Sequence, residues 1–324
     1  MRTRAAAAEP LVVSWIPYHG RSEGLARALG GRAEWMPWAQ AGGARSRTLV
    51  GWGRSALRTV RLVLAVPRGG LVVVMCPPVF ALVAALLAGR VRGARVVADL
   101  HSGALNNATW AWSHGLLRRC MRRCSALLVT NEQLLEGVDT GGRPVLVVHD
   151  PAFPLPEGGE APPLPAGPIV VFPASGGDDE PLAEVVEAAR LLHGEATVVI
   201  TGRQPALREE PGLLLPGFLD APSYAALLRR ADVVLALTTR EATMQRAGYE
   251  ALELGRPLVC SDTAVLREAF GAAAVATGSS PERLAGAVRT ALREQDRLLA
   301  ASARLREAMH AEVMAAVRAL LAVS

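Results

Sequence analysis

The stretch from residue 232 to residue 262 constrains the fold of this chain more than any other. It begins with an apolar run over 232–237, which has the length and the valine and leucine content of a buried strand. After a polar loop, helical periodicity runs over 244–254 and stops at Gly255 with a proline just beyond, which is a normal helix end. A second apolar run follows over 257–260. The pattern predicts a strand–loop–helix–strand unit of a parallel sheet, and such sheets bind ligands at the carboxyl ends of their strands.

Glu241 lies in the polar loop and Glu250 within the predicted helix, and the sequence around them resembles a known family. The chain reads EALELGRPLVCSD over 250–262. Retaining glycosyltransferases of family 4, which have the GT-B fold, carry E-G-F-G-x-x-x-x-E-A-M-A-x-G-x-P-V-V-x-S-D. In that family the second glutamate accepts hydrogen bonds from the ribose hydroxyls of the nucleotide, and the first contacts the sugar. The resemblance implies that Glu250 binds the ribose and that Glu241 is a catalytic residue at the sugar. The first half departs, since Glu241 lies nine residues before Glu250 instead of eight and EATMQR replaces the E-G-F-G loop.

The length of 324 residues predicts two domains of about 150 residues each. The resemblance implies an α/β protein of the GT-B type, with two Rossmann-like domains whose parallel sheets face a central cleft. A segment dense in proline and glycine, 150–168, separates them. We expect an acceptor-binding domain over 1–152 and a nucleotide-sugar-binding domain over 168–295. A closing helix over about 296–324 is expected to pack back on the first domain.

Further donor-side residues follow from the same resemblance. Family 4 enzymes place a Gly-Arg pair and a lysine near the first strand of the second domain to bind the diphosphate, and this chain has neither there. Arg203, after a predicted strand, is the first substitute, and Arg246 near the amino end of the motif's helix is the second. An ordinary surface arginine is the alternative for either. Phe218 lies in a segment that resembles the part of these enzymes that lies against the nucleotide base. Thr243 and Gln245 complete the predicted donor-binding set.

The front half carries a polar turn after its first predicted strand, 11–15. Gly20, Arg21 and Ser22 lie directly before a predicted helix over 23–29. Free backbone N–H groups at a helix amino end can hold an anion, so we predict these residues on the acceptor or phosphate side. An ordinary helix cap by Ser22 is the alternative. A Gly-Arg-Ser sequence after the first strand also resembles the β-mannosyltransferases of lipid-linked oligosaccharide assembly.

Asp99 and His101 end another strand of the front half, predicted over 95–99. Residues two apart in an extended chain point to the same side of a sheet. The pair resembles the Asp-x-His-Asn of the same β-mannosyltransferases, with Ser102 in place of the asparagine. This resemblance makes His101 a candidate general base, or a residue that orients the acceptor or the transferring sugar, and puts Asp99 on the acceptor side. A histidine that caps the next helix is the alternative. Asn131, directly after a further predicted strand, is another acceptor-side position.

Charge is divided unevenly along the chain. All 35 basic residues are arginine, and residues 1–150 hold 19 of them with 8 acids, which gives +11. Residues 151–324 hold 16 arginines and 22 acids, which gives −6. A basic front half suits a domain that meets a membrane surface or an anionic acceptor. An arginine-biased genome is the alternative source of part of this excess.

A stripe of arginines follows Trp110 and Trp112 in the front half. Two pairs four residues apart lie on one helical face; they are Arg118, Arg119, Arg122 and Arg123. A basic helix beside tryptophans predicts peripheral contact with an anionic bilayer. A solvated face with buried tryptophans is the alternative.

No cofactor or metal ion is expected. GT-B enzymes generally need no bound metal, and the chain has no Asp-x-Asp motif. The cysteines form no CxxC pair and have no matching histidines, so they are predicted to be small buried thiols in a reducing cytosol; they are Cys76, Cys120, Cys124 and Cys260.

Targeting and membrane-spanning segments are not predicted. The apolar part of residues 1–10 is too short for a signal peptide. The apolar run over 71–91 is divided by Pro77 and Pro78, so neither part is long enough to span a bilayer. We expect a cytoplasmic protein that adheres peripherally to the inner face of the membrane.

The sequence thus predicts a glycosyltransferase of carbohydrate biosynthesis. It would move a sugar from a nucleotide-sugar donor to a hydroxyl of a glycan, glycolipid or small-molecule acceptor, and no nucleic-acid partner is expected. Two alternatives stay open: a non-catalytic GT-B subunit that binds a donor or a partner, and a nucleotide-sugar epimerase or hydrolase on the same scaffold. The stereochemistry is open as well. The Glu250 motif favours retention, whereas the likeness to β-mannosyltransferases, which extends to the turn Asp178–Glu180, favours inversion.

Overall fold

The structure is a computed structural model, and two compact units divide the chain. One unit comprises Met1–Pro151 with Ala311–Ser324, and the other comprises Ala152–His310. Each contains a six-stranded sheet in which all strands run parallel. The predicted α/β fold with two Rossmann-like units is confirmed. The structure describes residues 9–17, 19–36, 45–106, 108–150, 155–204 and 206–322, with the backbone alone at 45–48.

The sheet of the first unit has the strand order β2-β1-β3-β4-β5-β6. Its strands are β1 (Leu11–Ser14), β2 (Arg32–Trp35), β3 (Leu71–Cys76), β4 (Arg95–Leu100), β5 (Ala126–Val129) and β6 (Val145–Val147). The helices are α1 (Gly20–Ala28), α2 (Arg45–Ala65), α3 (Val79–Arg92), α4 (Ser102–Asn106) and α5 (His114–Met121), with 3₁₀ turns at Ala108–Ser113 and Glu132–Leu135. The strands at the centre are runs of valine and leucine because a parallel sheet is covered on both faces.

The second unit has the strand order β12-β11-β10-β7-β8-β9. Its strands are β7 (Ile169–Phe172), β8 (Thr197–Thr201), β9 (Leu213–Gly217), β10 (Val233–Ala236), β11 (Leu258–Ser261) and β12 (Ala274–Thr277). The helices are α6 (Leu182–Leu191), α7 (Ala221–Arg230), α8 (Arg246–Glu253), α9 (Ala264–Phe270), α10 (Pro281–Arg293) and α11 (Gln295–Ala322). Strands β8 and β9 lie on one side of β7, whereas β10, β11 and β12 lie on the other side, so the strand order reverses between β7 and β10. Loops diverge at such a point and leave a crevice at the carboxyl ends of the strands.

Two helical layers cover the sheet of the first unit. On one face, Leu25 of α1 and Val313 of α11 pack in one cluster with Val73 and Val97. The adjacent residue Val96 faces the other layer, where a Cβ on Gly89 of α3 would lie 2.7 Å from its Cγ2 atom. Helices α2 and α5 both contact α3. The second layer therefore consists of α2, α3 and α5.

The main differences from the sequence predictions lie at element ends and sheet edges. Helix α1 begins at Gly20 rather than at residue 23, so Gly20, Arg21 and Ser22 form its first turn. His19 is the extended residue before the helix, and no side chain caps the helix, which rules out the cap by Ser22. The edge strands β2 and β12 and the helix α9 lack the long apolar runs that made the central elements predictable.

The closing helix belongs to α11, whose last part, from Ala311, lies in the first unit. In the part of the chain that the structure describes, no helix combines the length and the apolar character that crossing a bilayer requires.

Candidate active site

A cavity of about 730 Å³ opens at the carboxyl ends of β7, β8 and β9 in the second unit. The loops after these strands and the first two turns of α8 form its wall, as expected for the crevice at a reversal of strand order. Five of the predicted donor-binding residues line it: Glu250, Arg203, Arg246, Gln245 and Phe218. The sixth, Thr243, is not part of this wall, and its hydroxyl donates to the backbone oxygen of Glu241 at 3.3 Å.

Glu250 lies in the floor of the cavity and is only 8% exposed. One carboxylate oxygen accepts a hydrogen bond from Arg246 Nε at 2.7 Å, and the other accepts one from the Tyr224 hydroxyl at 2.5 Å. Burial, followed by the neighbouring Glu250 carboxylate, raises the pKa of Tyr224 well above its usual range, so Tyr224 is a protonated donor. A carboxylate has about four lone-pair sites, so each oxygen keeps one for a further donor.

Arg203 and Phe218 follow β8 and β9 and form the outer part of the wall. Gly202, which precedes Arg203, has a φ of +83°, and a Cβ there would lie 2.1 Å from the backbone oxygen of Ala174. Only glycine therefore lets this loop approach the loop after β7 so closely. Phe218 is 74% exposed although it lines the cavity, so its ring offers a flat apolar surface to a ligand.

The loop after β7 is wrapped around the carboxylate of Glu180. The backbone N–H groups of Ser175, Gly176 and Gly177 donate to it at 2.7, 2.9 and 3.2 Å, and the Ser175 hydroxyl donates at 2.7 Å. Successive N–H groups of this kind form an anion-binding concavity. Here a side chain of the protein itself is the bound anion. Ser175 and Glu180 both line the cavity, so a negative charge is built into its wall.

The loops after β7 and β10, which flank the reversal point, are joined to each other. Asp179 accepts from the Thr238 hydroxyl at 2.6 Å, and its backbone oxygen accepts from the Thr239 N–H at 2.8 Å. Arg240 forms an ion pair with Asp178. The predicted turn Asp178–Glu180 thus fixes the loop geometry of this unit.

Glu241 is placed on the side of α9. Its carboxylate accepts from the backbone N–H of Ala264, the first residue of that helix, at 3.2 Å. The next residue, Ala242, has a φ of 54° and so adopts the left-handed conformation, which costs a non-glycine residue roughly 1–2 kcal/mol. The resemblance has glycine at this place in the loop, so a backbone feature suited to glycine persists although the side chain differs. The catalytic role of Glu241 stays a prediction.

In the first unit, Arg21 and Asp99 form a buried ion pair, with both side chains 1% exposed. Arg21 Nε lies 3.1 Å from Asp99 Oδ1, and its Nη1 donates to the backbone oxygen of Val148 at 2.6 Å and to Asp150 at 3.1 Å. Burial alone would raise the pKa of Asp99, but the charges of Arg21 and His101 hold it well below its usual range. Arg21 thus ties the start of α1 to the ends of β4 and β6. The predicted contact of Arg21 with a phosphate stays a prediction. It is not favoured, because the guanidinium group is already bonded to Asp99, Val148 and Asp150.

Two histidines lie beside this ion pair. His101 Nε2 lies 3.1 Å from Asp99 Oδ2, which agrees with the expectation that the two side chains share one side of the sheet. The rings of His19 and His101 meet edge to face with centroids 4.7 Å apart, and His19 Nδ1 lies 3.1 Å from the Ser22 hydroxyl. Burial, and then the charge of His101, lower the pKa of His19 from 6.5 to about 4. The base role of His101 stays a prediction.

The pKa of His19 predicts a dependence of stability on pH. Between pH 6.5 and about 4, His19 stays neutral in the fold while the unfolded chain binds a proton, so the free energy of unfolding falls as the pH drops through this window. All 6 tryptophans lie within residues 1–150, so urea unfolding followed by tryptophan fluorescence reports on the first unit. The variant His19→Gln should show a shallower fall. An equal slope in both proteins would contradict the assignment.

The remaining predicted residues serve local structure in the contacts observed. The Asn131 side chain accepts from the Leu134 N–H at 3.1 Å and caps the 3₁₀ turn that follows. The arginines of the predicted stripe are all exposed, but the prediction of a single helical face is wrong, because α5 ends at Met121. Arg118 and Arg119 lie on the helix, and Arg122 and Arg123 follow its end. Arg122 forms an ion pair with Asp139. The cysteines are buried, as predicted, and burial raises the pKa of Cys124 and of Cys260 to about 12.

The contact of Tyr224 with Glu250 and the binding of the Glu180 carboxylate by its own loop were missed by reasoning from the sequence. Tyr224 lies 26 residues before Glu250 and in a different helix, so no spacing rule connects them. A signal did exist for Glu180, because a Ser-Gly-Gly segment followed closely by acids offers both the N–H groups and an anion. Among the described residues, no three side chains of His, Cys, Asp or Glu come together in a way that could hold a metal ion.

Comparison with known proteins identifies the second unit. Residues 168–294 match the family described as Glycosyl transferases group 1. HepE from Anabaena, solved with UDP-glucose, superposes with a TM-score of 0.70 at 13% identity, over 97% of this chain and 98% of that one. A UDP-forming α,α-trehalose-phosphate synthase from Burkholderia xenovorans gives 0.69 at 12% identity, over 98% and 99%. Sucrose-phosphate synthase from Thermosynechococcus elongatus gives 0.67 at 13% identity, over 96% and 97%. A search of curated protein sequences finds no significant match.

Residues 168–294 therefore match a glycosyltransferase group 1 domain, and the chain has the two-domain GT-B fold. The predictions of a glycosyltransferase and of its fold are confirmed at this level. This match does not distinguish family 4 from other glycosyltransferase families, so the narrower resemblance to family 4 stays a prediction.

Proposed function

We propose that this glycosyltransferase takes its sugar from a uridine diphosphate sugar held in the cavity of the second unit and delivers it to a hydroxyl of a glycan, glycolipid or small molecule. The observation that carries the proposal is the buried Glu250 carboxylate in the cavity floor, fixed by Arg246 and Tyr224. The choice of uridine rests on similar proteins, since HepE was solved with UDP-glucose and the Burkholderia synthase forms UDP.

In the proposed complex, Glu250 accepts hydrogen bonds from the two ribose hydroxyls through the lone pair that remains on each oxygen. Because Arg246 and Tyr224 hold the carboxylate in place, little ordering is needed when the nucleotide binds. The exposed ring of Phe218 offers a stacking surface for the base. A carboxylate that binds a diol orients the donor and leaves the glycosidic bond free to react.

Departure of the sugar leaves charge on the diphosphate, and cations must meet that charge. Arg203 and Arg246 line the cavity and are the proposed partners. The N–H groups of Ser175, Gly176 and Gly177 are already engaged by the Glu180 carboxylate, so the arginines carry a larger share of this task. Their guanidinium groups suit a diphosphate because each can donate two parallel hydrogen bonds.

His101 and Glu241 are the proposed catalytic residues, and Gly20, Arg21, Ser22, Asp99 and Asn131 remain proposals for the acceptor or phosphate side. Asp99 lies against His101 and would stabilise its protonated form if the histidine takes the proton of the acceptor hydroxyl. No metal ion and no cofactor enter the proposed reaction. A cytoplasmic location, with peripheral membrane contact through Arg118 and Arg119 of α5 and through Arg122 and Arg123 after it, completes the proposal.

The donor class is tested by binding of nucleotides to the full chain. We expect UDP, among UDP, GDP, dTDP and ADP, to raise the melting temperature most, because a ligand that binds only the folded state at about a hundred times its Kd stabilises it by about 2.7 kcal/mol. Calorimetry then gives the affinity, and the UDP-sugars follow. If no nucleotide stabilises the chain, the donor assignment fails. Binding without turnover on any acceptor would instead support a donor-binding subunit, and turnover without an acceptor would indicate a hydrolase or epimerase.

A further inference from the structure

The first unit has a layer of helices that is rich in arginine and contains no acidic residue. Between residues 35 and 98 the sequence holds nine arginines and neither aspartate nor glutamate. Helices α2 and α3 come from this segment, and α5, which contacts α3, also has no acidic residue. One whole layer of helices on this unit therefore lacks negative side chains.

The solvent face of α2 alternates apolar and cationic residues. The spacing of three and four residues that lines up one helical face gives, in order, Val50, Arg54, Leu57, Arg61 and Leu64, all of them exposed. The opposite face is buried, and there the Thr59 hydroxyl accepts from the indole of Trp15 at 2.9 Å. The exposed leucines of α2 therefore lie on a different face from the one that packs into the core.

Neighbouring elements extend this face. Leu87, Arg90 and Val91 of α3 are exposed, as is Trp112 in the 3₁₀ turn before α5. The ring centroids of Trp112 and Phe80 are 5.9 Å apart, so the exposed tryptophan packs against a second aromatic side chain. We call the surface formed by Val50, Arg54, Leu57, Arg61, Leu64, Leu87, Arg90, Val91 and Trp112 the α2–α3 face.

This apolar content is concentrated. The structure exposes 12 large apolar side chains in its described residues, and seven of them lie on α2, α3 and the turn before α5, with exposures between 41% and 78%. Single exposed leucines are normal, whereas a group of them marks an interaction site. Arg58 of α2 pairs with Glu34, and Arg92 of α3 donates to a backbone oxygen. Among the described residues, Arg54, Arg61 and Arg90 take part in no such hydrogen bond or ion pair. Their charges remain available to a partner.

We propose that the α2–α3 face docks on a bilayer that contains anionic lipids. Apolar side chains and a tryptophan can enter the boundary of the acyl chains while long arginine side chains reach the lipid phosphates from the same helix. An acidic protein partner would pair with the arginines but would not cover the leucines that alternate with them. A second copy of the chain would present the same basic face, and the two faces would repel each other. The proposal goes beyond the arginine stripe at the end of α5, because it places the apolar contact on α2 and α3. It does not depend on the identity of the sugar donor.

The test uses the full chain and vesicles of phosphatidylcholine with or without phosphatidylglycerol. We expect sedimentation with the anionic vesicles, a blue shift of tryptophan emission, and weaker binding at higher salt. Leu57→Glu with Leu64→Glu should lower the vesicle affinity at least tenfold. Arg54→Gln with Arg61→Gln should weaken binding less and reduce its salt dependence. The matched control is Met314→Glu, an exposed position of α11, which packs on the other face of the sheet.

Three results would overturn the proposal. They are equal binding by the wild type and the leucine variant, equal loss in the Met314→Glu control, and a wild-type dimer that the leucine variant dissociates while vesicle binding persists. The last would show that a second copy covers the face. Stabilisation by UDP is measured on every variant, since unchanged stabilisation shows an intact second unit. A failed donor assignment would therefore not be confused with failed docking.

Discussion

Replacing Asp99 by alanine is expected to destabilise the first unit by about 3–5 kcal/mol, the cost of leaving a buried charge without its partner. Arg21 donates to Asp99 from Nε at 3.1 Å and from Nη2 at 3.0 Å, and both side chains are buried. Without Asp99, the guanidinium keeps its charge and retains only Asp150 and the backbone oxygen of Val148. The loss should reach the packing of α1, because Arg21 lies in its first turn.

Urea unfolding followed by tryptophan fluorescence measures this loss, since all 6 tryptophans lie in residues 1–150. The matched control is Asp139→Ala, which removes the partner of the exposed Arg122 and should leave stability nearly unchanged, because an exposed ion pair contributes little. The double variant Arg21→Met with Asp99→Leu should recover much of the loss, because apolar residues that replace a buried pair leave no charge behind. An Asp99→Ala protein with normal stability but impaired sugar transfer would instead place Asp99 in the reaction.

Much of the fold could be predicted because the central strands are nearly continuous runs of valine, leucine and isoleucine. The apolar runs over 232–237 and 257–260 predicted β10 and β11 to within one residue of the bounds that the structure shows, Val233–Ala236 and Leu258–Ser261. Such runs are required wherever helices cover both faces of a parallel sheet. Edge strands escape this requirement, and β2, with the sequence RAEW, is partly exposed along its whole length. Its polar composition gave no strand signal.

The site could be predicted only where one local motif determines it. Glu250 was found because its helix, the glycine after it and the next strand form one continuous pattern. Its partner Tyr224 was missed because the contact joins two helices that the sequence does not relate. The left-handed backbone at Ala242 was also missed, since alanine gives no reason to expect it. Geometry that the tertiary structure imposes on an ordinary residue leaves no mark in the sequence.

Replacing Glu250 by alanine is expected to weaken UDP binding by about 1.5–3 kcal/mol, or roughly 10- to 150-fold, because a hydrogen-bonding carboxylate in the cavity floor is lost. Arg246 would lose the carboxylate oxygen that lies 2.7 Å from its Nε, and its side chain would become less ordered. Calorimetry measures the change in affinity, and the melting temperature without ligand shows whether the variant is folded. Unchanged affinity in a folded Glu250→Ala protein would remove Glu250 from the donor site.

Tyr224→Phe is the control that separates the carboxylate from the shape of the cavity. It removes one hydroxyl that donates to Glu250 and leaves the ring, the carboxylate and Arg246 in place. We expect it to reduce stability by about 1 kcal/mol, the net value of one hydrogen bond, and to alter UDP affinity much less than Glu250→Ala does. If both variants lose the same affinity, the Tyr224–Glu250 pair acts by holding α7 against α8 rather than by binding the ribose. If only Glu250→Ala loses affinity, the two free lone pairs of the carboxylate are the binding groups, and the nucleotide lies on the floor of this cavity.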